Sequence, residues 1–130
     1  MNIEKKYDFK KESDMYGWFN NLFFNELKFF YHKMTDASSW YKPYDWIMAN
    51  NSWTYHIEYK ILDYITDDVY KSLRCNQRFP LWQISNFWWN AMVVVYYRDI
   101  DDLVVYHYWK REEKLSLNYL TQRQDPVLPL

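Results

Sequence analysis

From about Asp14 to Lys33, the apolar residues Met15, Trp18, Phe19, Leu22, Phe29 and Phe30 recur at helical spacing, which predicts one long amphipathic helix with Ser13 as its cap. "TDASSWYKP" follows as a loop with room for a short strand, stopped by Pro43. In "DWIMAN" and "WTYHIEYKI" side chains alternate between two faces, and the intervening "NNS" has turn chemistry, so residues 45–61 predict a β-hairpin. "DYITDDVYKSLRCNQ" reads as a loop with a short helix, and Pro80 opens a second helix through about Asn90. "AMVVVYY" is a continuous apolar run, the mark of an internal strand covered on both faces. "RDIDD" turns the chain and "LVVYHYW" returns as another strand. The remainder is polar and Pro-bearing, predicting a short helix and a less ordered tail over about 118–130. Helix, strands with a central hairpin, helix and two strands make one α/β domain over 1–130, a mixed sheet flanked by helices.

Three polar residues interrupt this pattern. At 100° per residue, Glu26 falls in the middle of the apolar stripe of the first helix, in the direction of Met15, Leu22 and Phe30. In the hairpin, Glu58 and Lys60 share a face of the second strand, while Trp53, Tyr55, Ile57, Tyr59 and Ile61 fill the other. A two-residue turn at Asn51 and Ser52 sets Asp45 opposite Glu58; a turn at Asn50 and Asn51 pairs Asp45 with His56 and leaves Glu58 one step along the same face. Either register brings the two acids together. Carboxylates on adjacent strands repel each other unless a cation lies between them, and a divalent metal resolves the conflict.

Composition narrows the partners. Aromatics make up 23% of 130 residues and Gly17 is the only glycine, so bulky rings must do the packing. Trp40, Trp46, Trp53, Trp82, Trp88, Trp89 and Trp109 fill the core or, where exposed, stack on unpaired bases or form a dimer surface. No run of about 18 uncharged apolar residues occurs and no secretory signal opens the chain, so a soluble cytoplasmic protein is expected, with no membrane partner. Cys75 is the only cysteine, which excludes an internal disulfide and a thiolate-cluster metal site. His32, His56 and His107 lack the spacing of a helical zinc site. A net charge of −1 means that nucleic acid would have to be held by a local basic patch or by metal ions offsetting the acids.

The tripeptide acid-x-Lys begins at Glu4, Asp8, Glu26, Glu58 and Glu112, so it carries no weight alone. Only at Glu58 does it lie within an alternating strand that follows a turn and a strand headed by another acid. "PYD" at Pro43 to Asp45, a short turn and "IEYK" at Ile57 to Lys60 resemble the PD-(D/E)XK nuclease superfamily, which includes type II restriction enzymes and Holliday-junction resolvases. The element order fits over roughly residues 10 to 108; Tyr44, between proline and acid, departs from the motif.

The resemblance implies a restriction-endonuclease-like fold and a nuclease that hydrolyses DNA phosphodiester bonds with Mg²⁺, for which Mn²⁺ substitutes. It gives Asp45 and Glu58 the role of metal ligands, adds the carbonyl of Tyr59, and assigns Lys60 to the attacking water and the phosphate. Carboxylates with a lysine in reach suit a hard cation and this chemistry. The family usually has a further acid on its first helix; Glu26 fits by helix geometry, Glu12 by its distance from Asp45. Gln83 opens "QISNF", near a Gln-x-x-x-Tyr motif of one branch, with Phe87 in place of tyrosine. Lys71, Arg74 and Arg78 are candidate phosphate contacts. A dimer acting on single-stranded or branched DNA, and an origin in a phage or other mobile element, fit this reading. A non-catalytic module of the same fold, binding nucleic acid or a protein, is the alternative.

Overall fold

The computed structural model describes residues 4–33, 46–50, 54–66, 69–73, 90–107 and 113–121. Helix α1 spans Glu12–Phe19, and its start is fixed by a residue inside the first turn. The Asp14 carboxylate accepts the backbone N–H groups of Lys10 (2.9 Å) and Lys11 (3.2 Å), and these bonds hold its pKa below the usual range. Lys11 is therefore the cap, and Ser13 lies within the helix.

The long helix expected to Lys33 ends earlier. Asn20–Glu26 form a π-helical segment, with Leu27 N–H reaching the Leu22 carbonyl at 3.0 Å, and Lys28 then turns the chain at φ 59°. Phe30–Lys33 form strand β1. The remaining strands are β2 (Trp46–Ala49), β3 (Thr54–Leu62), β4 (Asn90–Tyr97), β5 (Asp102–His107) and β6 (Glu113–Leu115). A 3₁₀ turn at Val69–Ser72 follows β3, and helix α2 covers Leu117–Thr121. The sequence pattern did not predict β6. The expected second helix, from Pro80, lies outside the described residues up to Asn90, which opens β4.

All six strands form one sheet in the order β1-β2-β3-β4-β5-β6; β3 and β4 are parallel and the other neighbours antiparallel. This is the mixed α/β sheet expected. One face carries Tyr31, Met48, Tyr55, Ile57, Tyr59, Met92, Val94, Tyr96 and Val105, and packs on Met15, Phe19 and Phe23. Its contacts are largely aromatic: Phe19 lies 5.2 Å from Phe23 and 5.3 Å from Tyr59, and Tyr31 stacks on Trp46 at 4.2 Å. The opposite face of β4 carries Ala91, Val93, Val95 and Tyr97 against Val69, Leu73 and Tyr106. As its uninterrupted apolar run implies, β4 is buried on both faces from Ala91 to Tyr97.

Asp101, in the β4–β5 turn at φ 48°, ties down the segment before α1. Its carboxylate accepts the N–H groups of Lys6, Tyr7 and Asp8, and the hydroxyl of Tyr96 at 2.5 Å. Arg98 adds a second tie, to the Lys10 carbonyl (2.9 Å) and to Asp63 (2.9 Å).

Candidate functional site

Strand β3 carries the polar residues of interest. Its register with β2 pairs Trp46 with Ile57, Ile47 with His56 and Met48 with Tyr55. This is the register of the two-residue turn, the one in which the sequence sets Asp45 opposite Glu58. Asp45 itself lies outside the described residues.

Glu58 and Lys60 project from the same face of β3, and their partners on β4 are Val93 and Val95. Tyr55, Ile57 and Tyr59 point to the other face, into the aromatic core, as the alternation predicts. The Glu58 side chain is 3% exposed, whereas Lys60 is half-buried. Valines on the neighbouring strand give Glu58 an apolar floor, where ionic and hydrogen-bonding partners matter more than at the surface. Among the described residues, Lys60 makes no salt bridge with Glu58 or any other acid.

A further polar group joins this face. His56, two residues before Glu58, is 5% exposed and shares its orientation, so β3 presents His56, Glu58 and Lys60 in line. The spacing of the histidines, which lacks a helical zinc pattern, gives no sign of this. Strand alternation was the signal that places it beside Glu58.

The two helix acids are placed differently. Glu26 was expected to point toward the sheet, but it is exposed at the end of the π segment, where Asn21 Nδ2 donates to its Oε1 at 3.4 Å. The projection assumed 100° per residue; the wider i→i+5 turns rotate each residue less and carry Glu26 off the apolar stripe. Glu12 is half-buried in the first turn of α1, one turn before Tyr16, whose ring lies 5.4 Å from both Tyr59 and Trp46. It therefore belongs to the helix face turned toward the Trp46 and Tyr59 side of the sheet, opposite Glu58 and Lys60.

Lys71 is exposed on the 3₁₀ turn. Gln83, Arg74, Arg78 and Cys75 lie outside the described residues, as do the candidate tryptophans other than Trp46. Trp46 packs against the core, as a filler would.

Among the described residues no three His, Cys, Asp or Glu side chains converge as a metal site, and no helix is long and apolar enough to cross a membrane. The donors on this face nevertheless suit a hard divalent ion. Glu58 offers a carboxylate, and Tyr59 beside it a backbone carbonyl.

A polar stripe on a central strand, in a mixed sheet with a helix on the opposite face, defines a class of α/β fold. No family model matches the sequence, and no curated protein matches it. Among solved structures, the chain is similar to Archaeoglobus fulgidus Hjc, a Holliday junction resolvase from an archaeal hyperthermophile, with a TM-score of 0.52 at 13% identity. The likeness covers 80% of this chain and 88% of that one, and establishes a restriction-endonuclease-like fold.

Proposed function

We propose that this protein is a metal-dependent nuclease that hydrolyses DNA phosphodiester bonds at the Glu58 face of the sheet. One observation carries the reading: a nearly buried glutamate and a lysine two residues later share a face of a central strand, whose register with β2, if continued by one pair, would set Asp45 opposite the glutamate. The likeness to a resolvase supports it, since that protein acts on branched DNA.

In this reading Asp45, Glu58 and the Tyr59 carbonyl hold Mg²⁺ or Mn²⁺, whose chemistry is to polarise the phosphate and lower the pKa of a bound water. The valine-floored setting of Glu58 sharpens its preference for a cation. Lys60 places its ammonium beside the phosphoryl oxygens and orients the attacking water, offsetting the charge that builds up in the transition state. Of the two helix acids, Glu12 is on the helix that packs against the Tyr59 face, opposite Glu58, and Glu26 points to solvent, so the reading gives neither a ligand role.

Cleavage of plasmid, single-stranded and branched DNA, with and without divalent metal, tests the proposal. Cleavage should require the metal and be lost in Asp45→Ala and Lys60→Ala. Metal binding without cleavage of any substrate would favour a non-catalytic module of the same fold. Metal-independent cutting that survives both substitutions would reject the proposal.

A further inference from the structure

The face that carries Glu58 and Lys60 extends to the sheet edge, and there it presents rings instead of charges. Register pairs His32 of β1 with Ile47 of β2, and Ile47 with His56 of β3, so His32 and His56 share one row of this face. Phe30 lies one row further along, paired with Ala49 and through it with Thr54. Phe30 is 57% exposed and His32 is exposed, and their rings lie 6.1 Å apart at 30°, forming one tilted surface. Tyr31, between them, turns inward and bonds Tyr59 through its hydroxyl at 2.6 Å, which fixes the outward direction of its neighbours.

A phenylalanine more than half exposed on an edge strand costs solubility, so the identity of its partner matters. The patch is too small for a second copy of this chain. A stable protein interface needs about 800 Å² per partner, and β1 is four residues long with one apolar ring outward. A nucleobase is the right size, having a flat apolar face and a polar edge. Lys28, exposed two residues before Phe30, is a nearby source of positive charge for an attached phosphate, whereas Lys33 lies on the opposite face, over the Tyr16 ring at 5.7 Å. The position also fits. Two strand spacings of about 4.8 Å and two to four residues of about 3.4 Å put the ring pair roughly 12–17 Å from Glu58, a few nucleotides from a phosphate held there.

We propose that Phe30 and His32 form a stacking platform for unpaired bases, so that this face binds single-stranded nucleic acid, or the single-stranded part of a branched one, leading into the Glu58–Lys60 site. The direction toward cleavage rests on the nuclease reading; the stacking itself does not.

The test measures fluorescence anisotropy of labelled oligothymidylate and of a duplex of equal length, without divalent metal, so that no cleavage intervenes. Phe30→Ala with His32→Ala should weaken single-strand binding by roughly 5- to 100-fold and change duplex binding less than about 2-fold, while Phe30→Trp retains it. An abasic strand of the same length should bind the wild-type protein as weakly as the strand with bases binds the double variant. Equal losses on both DNAs, no loss on either, or no single-strand binding by the wild-type protein would overturn the platform. So would a change of oligomeric state on sedimentation of Phe30→Ala, which would assign the ring to contacts between copies. Thermal unfolding of each variant separates lost binding from lost fold. If the protein cuts no DNA yet the anisotropy pattern holds, the nuclease reading fails and the platform stands; the reverse result removes the platform alone.

Discussion

The Tyr96 hydroxyl donates to Asp101 Oδ1 at 2.5 Å, and the same carboxylate accepts backbone N–H groups from Lys6, Tyr7 and Asp8. Burial alone would raise the Asp101 pKa, but the bonds from Asp8, Tyr96, Lys6 and Tyr7 outweigh it and hold the group at about 2. Burial, then the bond and charge of Asp101, push Tyr96 up to about 12. A depressed acid stabilises the fold above its unfolded pKa and loses that contribution as pH falls through its folded value; a raised phenol does the opposite at high pH. Stability should therefore fall between pH 3.8 and about 2 through Asp101, and between pH 10 and about 12 through Tyr96. Asp101→Asn should flatten the acid limb, as measured by denaturant midpoint against pH.

Within the proposed site, Glu58 and Lys60 should separate metal binding from chemistry. Lys60→Met should keep Mn²⁺ binding by calorimetry and lower the cleavage rate by roughly 10²–10³-fold, the cost typical of losing one transition-state donor. Glu58→Gln should weaken the metal itself by more than the roughly 10- to 100-fold that losing a residue behind a ligand costs. Parallel effects of the two substitutions on metal affinity would contradict the division of labour.

Tyr97 and Tyr106 bond through their hydroxyls at 2.8 Å on the face that carries Glu58. Tyr106→Phe leaves the Tyr97 hydroxyl buried without that partner and should cost about 1–3 kcal/mol. Replacing both by Phe should cost less than the two single changes added together. Urea unfolding of the three variants completes the cycle, and strict additivity would remove the bond from the energetics.

Lys28 ends the π segment at φ 59°, a conformation that favours glycine. Lys28→Gly should raise stability by up to about 1 kcal/mol, the relief of the left-handed strain less the added freedom of the unfolded chain. The shift in thermal midpoint checks its sign.

The same lysine explains what the sequence concealed. Apolar residues run through Phe29, Phe30 and Tyr31 with no glycine or proline to mark a boundary, so helical periodicity extends over residues that form β1. The π segment has no compositional mark, and it turned Glu26 outward. At three residues, with Glu113 and Lys114 among them, β6 is too short and too charged for its alternation to register. The hairpin and the buried strand were legible because alternation and continuous apolarity are direct statements about burial. Glu58 and Lys60 on one face followed from that alternation alone, and so did the inward turn of Tyr59.

Asp101 joins residues 6–8 to a turn more than 90 positions later. A nascent chain cannot close that contact until the ribosome has made most of the sheet, so the leading segment waits while later strands assemble. The tie between residues 6–8 and this turn therefore closes only after the residues proposed to do the chemistry have been made.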